Sequence, residues 1–200
     1  MDSTVCLLMA RQCGRDVVSI GVDYGQRHRV ELEFAERQCN SRGIERRVCQ
    51  VRWTKPVGRE IPMNRSIAVM AKSVSPAFLP GRNTVFLALG VAEAAGLGAT
   101  EIWLGVNSID FSGYPDCRPE FVDAFREVIR QGFPGGPSII APLQYMTKPE
   151  IARIASELGI GRHETWSCYQ PLEEQGTVRP CNGCDACLLH TEAWRSIPSL

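Results

Sequence analysis

Short apolar runs alternate with segments of helical spacing over the first three quarters of the chain. The apolar runs predict buried strands at residues 17–22, 47–51, 102–106 and 138–141. Apolar residues recurring every three or four positions predict helices at residues 4–13, 28–42, 83–97, 119–130 and 148–158. Strands and helices in alternation are typical of an α/β fold with a doubly wound, mostly parallel sheet, and we expect that fold class here.

Two segments break this pattern. Residues 52–80 contain four prolines and one glycine, and their apolar residues follow neither helical nor strand spacing. They predict a long connection, which often forms a lid or a binding loop. The periodicity is lost again from residue 165. We therefore predict an α/β domain over residues 1–164 and a small appendage over residues 165–200.

Composition narrows the class of protein. With 200 residues and 44% hydrophobic content, the chain is large enough for one sizeable core. Lys plus Arg equals Asp plus Glu at 22 each, so the net charge is zero and no direct nucleic-acid partner is expected. The sequence has neither an apolar run of about 18 residues nor a secretory leader, which favours a cytoplasmic protein without a membrane partner.

The cysteines give the sharpest local signal. Cys181, Cys184 and Cys187 are spaced C-x2-C-x2-C, and Cys168 lies thirteen residues upstream of the first. Four thiolates around one tetrahedral point are typical of a structural zinc site, and we predict one zinc ion there. An iron–sulfur cluster is the alternative, although the ferredoxin pattern would place its fourth cysteine at Thr191. The other five cysteines are predicted to be small buried apolar residues: Cys6, Cys13, Cys39, Cys49 and Cys117.

Polar loops follow the predicted strands, where open α/β sheets bind ligands. Residues 23–28 (Asp-Tyr-Gly-Gln-Arg-His) form the first loop, which is either part of a site or a turn that caps the next helix. In residues 79–83, Gly81 permits close approach and Arg82 offers a fork to phosphate at a helix N-terminus. An ordinary Pro-Gly turn with a solvated arginine is the alternative interpretation there.

Two further positions are candidates for binding. Residues 110–118 (Asp-Phe-Ser-Gly-Tyr-Pro-Asp-Cys-Arg) combine carboxylates, a hydroxyl, aromatic rings and a guanidinium, and loops this rich usually form sites. Lys148 begins a helix, where its charge opposes the helix dipole and indicates a nearby anion. A surface lysine is the commoner interpretation of such a residue.

Six motifs in this order resemble the 7-cyano-7-deazaguanine synthases of the PP-loop family of adenylating ATP pyrophosphatases. They are Asp2-Ser3-Thr4, residues 23–28, residues 79–83, residues 110–118, Thr147-Lys148 and Ser167-Cys168-Tyr169. The resemblance implies a Rossmann-like fold of the adenine nucleotide alpha hydrolase type. It also implies a ligase that forms C–N bonds, converting 7-carboxy-7-deazaguanine and ammonia into the 7-cyano base with ATP and Mg²⁺, and a homodimer.

The resemblance also implies roles for particular residues. Catalytic roles fall on Asp2, Ser3, Arg82 and Lys148. ATP binding falls on Asp2, Ser3, Thr4, Asp23, Tyr24, Gly25, Arg82 and Asn83. Substrate binding falls on Gln26, His28, Asp110, Ser112, Tyr114, Asp116 and Arg118. Zinc binding falls on Cys168, Cys181, Cys184 and Cys187.

The start of the chain departs from the PP-loop pattern. Ser-Gly-Gly should precede the variable residue and Asp2, but Met1 stands at the variable position. We therefore expect a sheet without its central strand, explained by a start further upstream or a truncated chain. The alternatives are an inactive truncated homologue, a PP-loop enzyme acting on another base or carboxylate, and a non-catalytic zinc-binding interaction module.

Overall fold

A computed structural model describes residues 1–53, 60–108 and 113–197. The helices in those ranges are α1 (Asp2–Gln12), α2 (Val30–Asn40), α3 (Ile67–Met70), α4 (Arg82–Leu97), α5 (Pro119–Gly132), α6 (Lys148–Glu157) and α7 (Asp185–Ala193). The strands are β1 (Val18–Asp23), β2 (Glu45–Gln50), β3 (Glu101–Trp103), β4 (Ser138–Ile140), β5 (Leu172–Glu174) and β6 (Thr177–Arg179). A short 3-10 helix spans Pro115–Cys117. The five helices and four strands predicted from periodicity are confirmed, with ends displaced by three residues at most.

Strands β1 to β4, which precede the tail (residues 165–200), pair in parallel. Strand β1 runs beside β2, with Val18 opposite Glu45, and β3 runs beside β4, with Glu101 opposite Ser138. The two pairs form separate ladders within the described ranges. Strands β5 and β6 form an antiparallel hairpin in the tail.

Helices cover both faces of the β3–β4 pair. Trp103 packs against a core built from α1, α6 and the end of α7, whereas its neighbours Ile102 and Leu104 pack against a core built from α4 and α5. Successive side chains of a strand point to opposite faces, so these contacts place one helical layer on each side. The doubly wound α/β fold predicted from the sequence is therefore confirmed.

The elements that periodicity missed lie in the two segments expected to be irregular: α3, α7 and the β5–β6 hairpin. The hairpin turns through Gln175 and Gly176, which have φ of 50° and 76°. Positive φ at both central residues is typical of a type I′ hairpin turn, and glutamine is a weaker signal of that turn than asparagine. Helix α7 begins directly after Cys184, so its short pattern is merged with the cysteine motif.

The tail packs on the main body of the protein. Helix α7 lies against α6, and Ala193 and Trp194 join the same core as Val5 of α1. The division into two domains stays a prediction. None of the helices in the described ranges has the length and apolar character needed to cross a membrane.

Three of the five scattered cysteines, Cys6, Cys39 and Cys117, are buried as predicted, and Cys49 is half-buried. The prediction is wrong for Cys13, which is exposed. Cys13 is the C-cap of α1 and lies beyond the helix positions that face the core.

Candidate functional site

The N-terminus of α1 lies against the chain that leaves β3. A Cβ atom on Gly105 would lie 3.0 Å from the Ser3 backbone nitrogen, so a larger residue would push the helix end away from this strand end. The first N–H groups of a helix have no acceptor inside the helix and, together with the helix dipole, attract anions. The positions of Asp2, Ser3 and Thr4 in this first turn make it a candidate phosphate cradle.

A cation and a carboxylate meet beside this helix end. Lys148 Nζ lies 2.5 Å from Asp2 Oδ2, and Asn107 donates to the same oxygen at 3.3 Å. Burial alone would raise the pKa of Asp2, but the adjacent Lys148 ammonium outweighs it and the pKa is lowered. Glu150 fixes the start of α6 by accepting the Thr147 backbone N–H at 2.7 Å. Lys148 is thereby held beside the first turn of α1.

Arg82 begins α4 directly after Gly81, whose φ of 78° suits glycine. Its guanidinium carbon lies 5.7 Å from the centre of the Tyr114 ring and 6.0 Å from that of Phe86. The Nε atom is shut off from solvent without a hydrogen-bond acceptor, and no carboxylate pairs with Arg82 in the part of the chain that the structure describes. An enclosed cation with aromatic walls and no acidic neighbour is suited to an anionic ligand.

Two cavities meet at Arg82. The larger has a volume of about 710 Å³ and is lined mainly by residues 23–29 and the chain after β2. The smaller has a volume of about 260 Å³ and contains the first turn of α1 and Lys148. Arg82, Tyr114 and Tyr169 line both cavities and form the wall between them. An anion at Arg82 would be accessible from either side.

The loop at residues 23–28 is stabilised by its own polar side chains. Asp23 accepts the Gly25 N–H at 3.1 Å and the Arg29 guanidinium at 2.6 Å, and these bonds lower the pKa of its carboxyl. Gln26 accepts the Tyr24 N–H at 2.9 Å and donates to the Val22 carbonyl and to a carboxylate of α2. The polar-turn interpretation therefore accounts for Asp23 and Gln26.

Two other side chains of this loop face the larger cavity. The ring of Tyr24 lies 5.6 Å from that of Phe86, beside the Arg82 guanidinium. His28 lies 5.5 Å from the Tyr169 ring, and burial lowers the pKa of its imidazole. His28 Nδ1 is enclosed and has no hydrogen-bond partner within the described ranges. Tyr24 and His28 thus both line the larger cavity, and His28 Nε2 lies 3.5 Å from a Glu31 carboxylate oxygen.

Asp116 caps a helix in this structure. Its buried carboxylate accepts the Asn83 backbone N–H at 3.1 Å, and the Asn83 amide donates to the Asp116 carbonyl at 3.0 Å. These two hydrogen bonds join Asp116 to the first turn of α4. Of the remaining loop predictions, Tyr114 lies in the wall between the cavities and Arg118 is exposed at the start of α5, while Asp110 and Ser112 lie outside the described residues.

This capping bond leads to a prediction about stability. Replacing Asp116 with alanine leaves the Asn83 N–H without an acceptor, and we expect the free energy of unfolding to fall by about 1 kcal/mol. Asp116→Asn should lose less, because its amide oxygen can still accept the bond. Urea unfolding measures both values, with exposed Asp123→Ala as the control. Equal stability of the wild type and Asp116→Ala would contradict the capping role.

The four predicted zinc ligands converge. The Sγ atoms of Cys168, Cys181, Cys184 and Cys187 all lie within 4.8 Å of one another. Cys168 and Cys181 are 3.5 Å apart, and Cys181 and Cys187 are 3.9 Å apart. A tetrahedral ion bound at about 2.3 Å separates its sulfur ligands by about 3.8 Å. The cluster therefore has the dimensions of a site for one metal ion.

Two residues that line the smaller cavity, His190 and Tyr169, had no predicted role. His190 lies one helical turn after Cys187, with Nε2 3.1 Å from the Arg162 carbonyl and Nδ1 3.5 Å from the Ser167 hydroxyl. Burial lowers the pKa of His190 to about 4, so its ring is neutral at pH 7. Tyr169 follows Cys168 directly. Their short distance along the sequence from the predicted metal ligands is the signal that could have identified them.

The fold and the site together define a doubly wound α/β protein with a candidate anion site at a helix end, a cation shared by two cavities and four cysteines placed to hold a metal ion. The family model described as "Queuosine biosynthesis protein QueC" matches residues 1–198. The chain belongs to this family.

Individual relatives agree with this assignment. The chain is 56% identical over 197 residues to "7-cyano-7-deazaguanine synthase 2" of Rhodopseudomonas palustris (strain HaA2), covering 98% of this chain and 93% of the relative. It is 38% identical over 209 residues to "7-cyano-7-deazaguanine synthase" of Rhodopirellula baltica, covering 97% and 83%. The resemblance seen in the sequence motifs is confirmed.

A solved structure supports the fold alone. The U34-tRNA thiolase NcsA from Methanococcus maripaludis, solved with its [4Fe-4S] cluster, superposes with a TM-score of 0.50 at 13% sequence identity. The match covers 96% of this chain and 60% of the thiolase.

Proposed function

We propose that this chain is a 7-cyano-7-deazaguanine synthase, which uses ATP to convert 7-carboxy-7-deazaguanine and ammonia into the 7-cyano base for queuosine biosynthesis. Membership of the QueC family over nearly the whole chain supports this reaction. The structural observation that argues most directly for it is Arg82, an enclosed cation without an acidic partner in the described ranges, shared by a large and a small cavity. A reaction that joins a nucleotide to a second substrate needs such a meeting point.

The chemistry explains the need for ATP. A carboxylate resists ammonia because oxide is a very poor leaving group. Attack of the carboxylate on the α-phosphate of ATP expels pyrophosphate and gives an acyl adenylate, from which ammonia displaces AMP to form the amide. The amide oxygen then attacks the α-phosphate of a second ATP and expels pyrophosphate, and loss of AMP and the two amide protons leaves the nitrile. The protein's main task is to stabilise negative charge on phosphates.

The smaller cavity suits the phosphates. The first-turn N–H groups of α1 and the hydroxyls of Ser3 and Thr4 are donors for phosphate oxygens. Lys148 and Arg82 offset the charge on departing pyrophosphate. Asp2 is ionised beside Lys148 and can hold either that cation or the Mg²⁺ of the nucleotide.

The larger cavity suits ring systems. Tyr24, Tyr114 and His28 line it with aromatic rings. Asp110 and Ser112 remain proposals for reading the base. Asp116 and Gln26, which are engaged inside the protein, would act by shaping their loops.

We assign the metal as one structural zinc ion. Four closely spaced sulfurs leave no open position for a substrate, which is typical of structural zinc. A four-iron cluster would need wider spacing, because each cysteine binds a different iron atom. None of the described cysteines forms a disulfide. The cytoplasm keeps thiols reduced and supplies ATP, so we propose that the enzyme is cytoplasmic. The homodimer stays a prediction that light scattering can measure.

The proposed function is tested by incubating the chain with ATP, Mg²⁺, ammonia and 7-carboxy-7-deazaguanine and following products by mass spectrometry. We expect the nitrile and two AMP per nitrile. Other heterocyclic carboxylates serve as competitors, and preferential turnover of one of them would identify a different PP-loop substrate. Absence of both AMP and nitrile would contradict the proposal.

Lys148→Met should lower kcat by about 100-fold, because one phosphate cation is lost. Lys72→Met removes an exposed lysine outside both cavities and is the matched control. Steady-state rates of AMP release measure both variants. Equal kcat for Lys148→Met and the control would remove Lys148 from the reaction.

A further inference from the structure

Tyr169 connects the metal site to the wall between the two cavities. It follows the ligand Cys168 directly, and its side chain lines both cavities. Its hydroxyl lies 3.1 Å from the Tyr114 hydroxyl, and its ring lies 5.5 Å from that of His28. One side chain therefore contacts two residues of the proposed base-binding cavity.

The backbone around Tyr169 is held on one sulfur atom. Cys168 Sγ accepts the Gln170 N–H at 3.3 Å, so the chain turns back on itself with Tyr169 at its apex. The same sulfur accepts the Cys181 N–H at 3.3 Å, and the Cys168 carbonyl accepts the Trp166 indole N–H at 2.8 Å. Such N–H bonds are stronger to a thiolate than to a thiol. The backbone position of Tyr169 is thus held by the cysteine cluster, and its ring is placed by the contacts with Tyr114 and His28.

Tyr169 also lies close to the cation of this wall, Arg82. Burial by itself would lower the pKa of the Arg82 guanidinium, but Tyr24 and Tyr169 outweigh it. Tyr114 and Arg82 are in turn in cation–π contact, with 5.7 Å between the guanidinium carbon and the ring centre. A shift of Tyr169 would therefore be passed to Tyr114 and His28, the groups that face the larger cavity.

We infer that Tyr169 is a positioning residue for the heterocyclic acid: held by the cysteine turn, it orients Tyr114 and His28 through the hydroxyl pair and the ring contact. This inference rests on the proposed synthase reaction. It gives the cysteine site a second task besides folding the tail, namely to hold the wall against which the base binds.

The test is a double-mutant cycle of Tyr114→Phe and Tyr169→Phe, scored by KM for 7-carboxy-7-deazaguanine. Each single variant loses the same hydroxyl pair, so each should raise KM for the acid about fivefold, with KM for ATP and kcat within about twofold. The double variant should be no worse than either single one, because the bond can be lost only once. Tyr145→Phe, an exposed tyrosine outside both cavities, is the control.

Tyr169→Ala removes the ring as well and should raise KM for the acid about 30-fold, since the His28 contact is lost together with the hydroxyl bond. Its zinc content and melting temperature show whether the tail stays folded. If the wild type makes the nitrile but the two Phe substitutions have additive effects, or change KM for both substrates equally, the inference is overturned. An inactive wild type would instead contradict the proposed function.

Discussion

Replacing Arg82 with methionine is expected to lower kcat/KM by about 1000-fold while leaving the fold intact. Arg82 is shared by both cavities and has aromatic rather than acidic neighbours among the described residues. Loss of one preorganised donor to developing phosphate charge typically costs 10²–10³ in rate, on the order of 3–4 kcal/mol. Removing the Arg82 charge, which has no carboxylate partner among the described residues, should not destabilise the protein. Steady-state kinetics and thermal unfolding measure the two effects.

Two further variants make this prediction specific. Arg82→Lys keeps the charge but not the planar fork, and it should recover only part of the activity. Arg130→Ala removes an exposed arginine that pairs with Glu127 on α5, and it should behave like the wild type. Wild-type activity in Arg82→Met would show that the anion binds elsewhere.

Replacing Cys184 with serine is expected to remove the metal and destabilise the tail. Cys184 is fully buried, is the N-cap of α7, and lies beside Met63 of the long connection through an isolated β-bridge. Structural zinc contributes folding free energy directly, so we expect the free energy of unfolding to fall by more than about 3 kcal/mol. Elemental analysis gives the metal content, and thermal unfolding gives the stability.

The exposed Cys13 offers a matched control. Cys13→Ser should keep one zinc ion per chain and the wild-type melting temperature, because its side chain lies outside the metal site and the core. If the purified protein is brown and contains iron and sulfide, the metal site holds an iron–sulfur cluster instead of zinc. A metal-free Cys184→Ser protein with unchanged melting temperature would contradict the structural role of the site.

Much of the fold could be predicted because its elements are periodic. Segments such as residues 148–158 combine helical spacing with Pro149 in the first turn, and α6 begins at the predicted residue. The convergence of the four cysteines was also predictable, because their spacing along the chain is typical of metal ligands. Helix α7 and the β5–β6 hairpin could not be predicted, because their apolar patterns are short. The hairpin turn also uses Gln175, which is a weak turn signal.

The candidate site was predicted unevenly for a physical reason. Sequence indicates which polar residues lie at strand ends, but it does not indicate what they bond to. Asp116 and Asn83 both stood out as ligand-binding residues, and in the structure they bond to each other. Tyr169 received no role because its contacts with His28 and Tyr114 are made across more than 50 residues of chain.

The central claim is that ATP activates the carboxylate by adenylation, and oxygen-18 labelling tests it directly. The substrate carboxylate is labelled at both oxygens, and AMP is analysed by mass spectrometry after conversion to the nitrile. Adenylation predicts that each of the two AMP molecules carries one labelled oxygen, because the first leaves with a carboxylate oxygen and the second with the amide oxygen. Unlabelled AMP, with the label found in water or inorganic phosphate, would contradict the account.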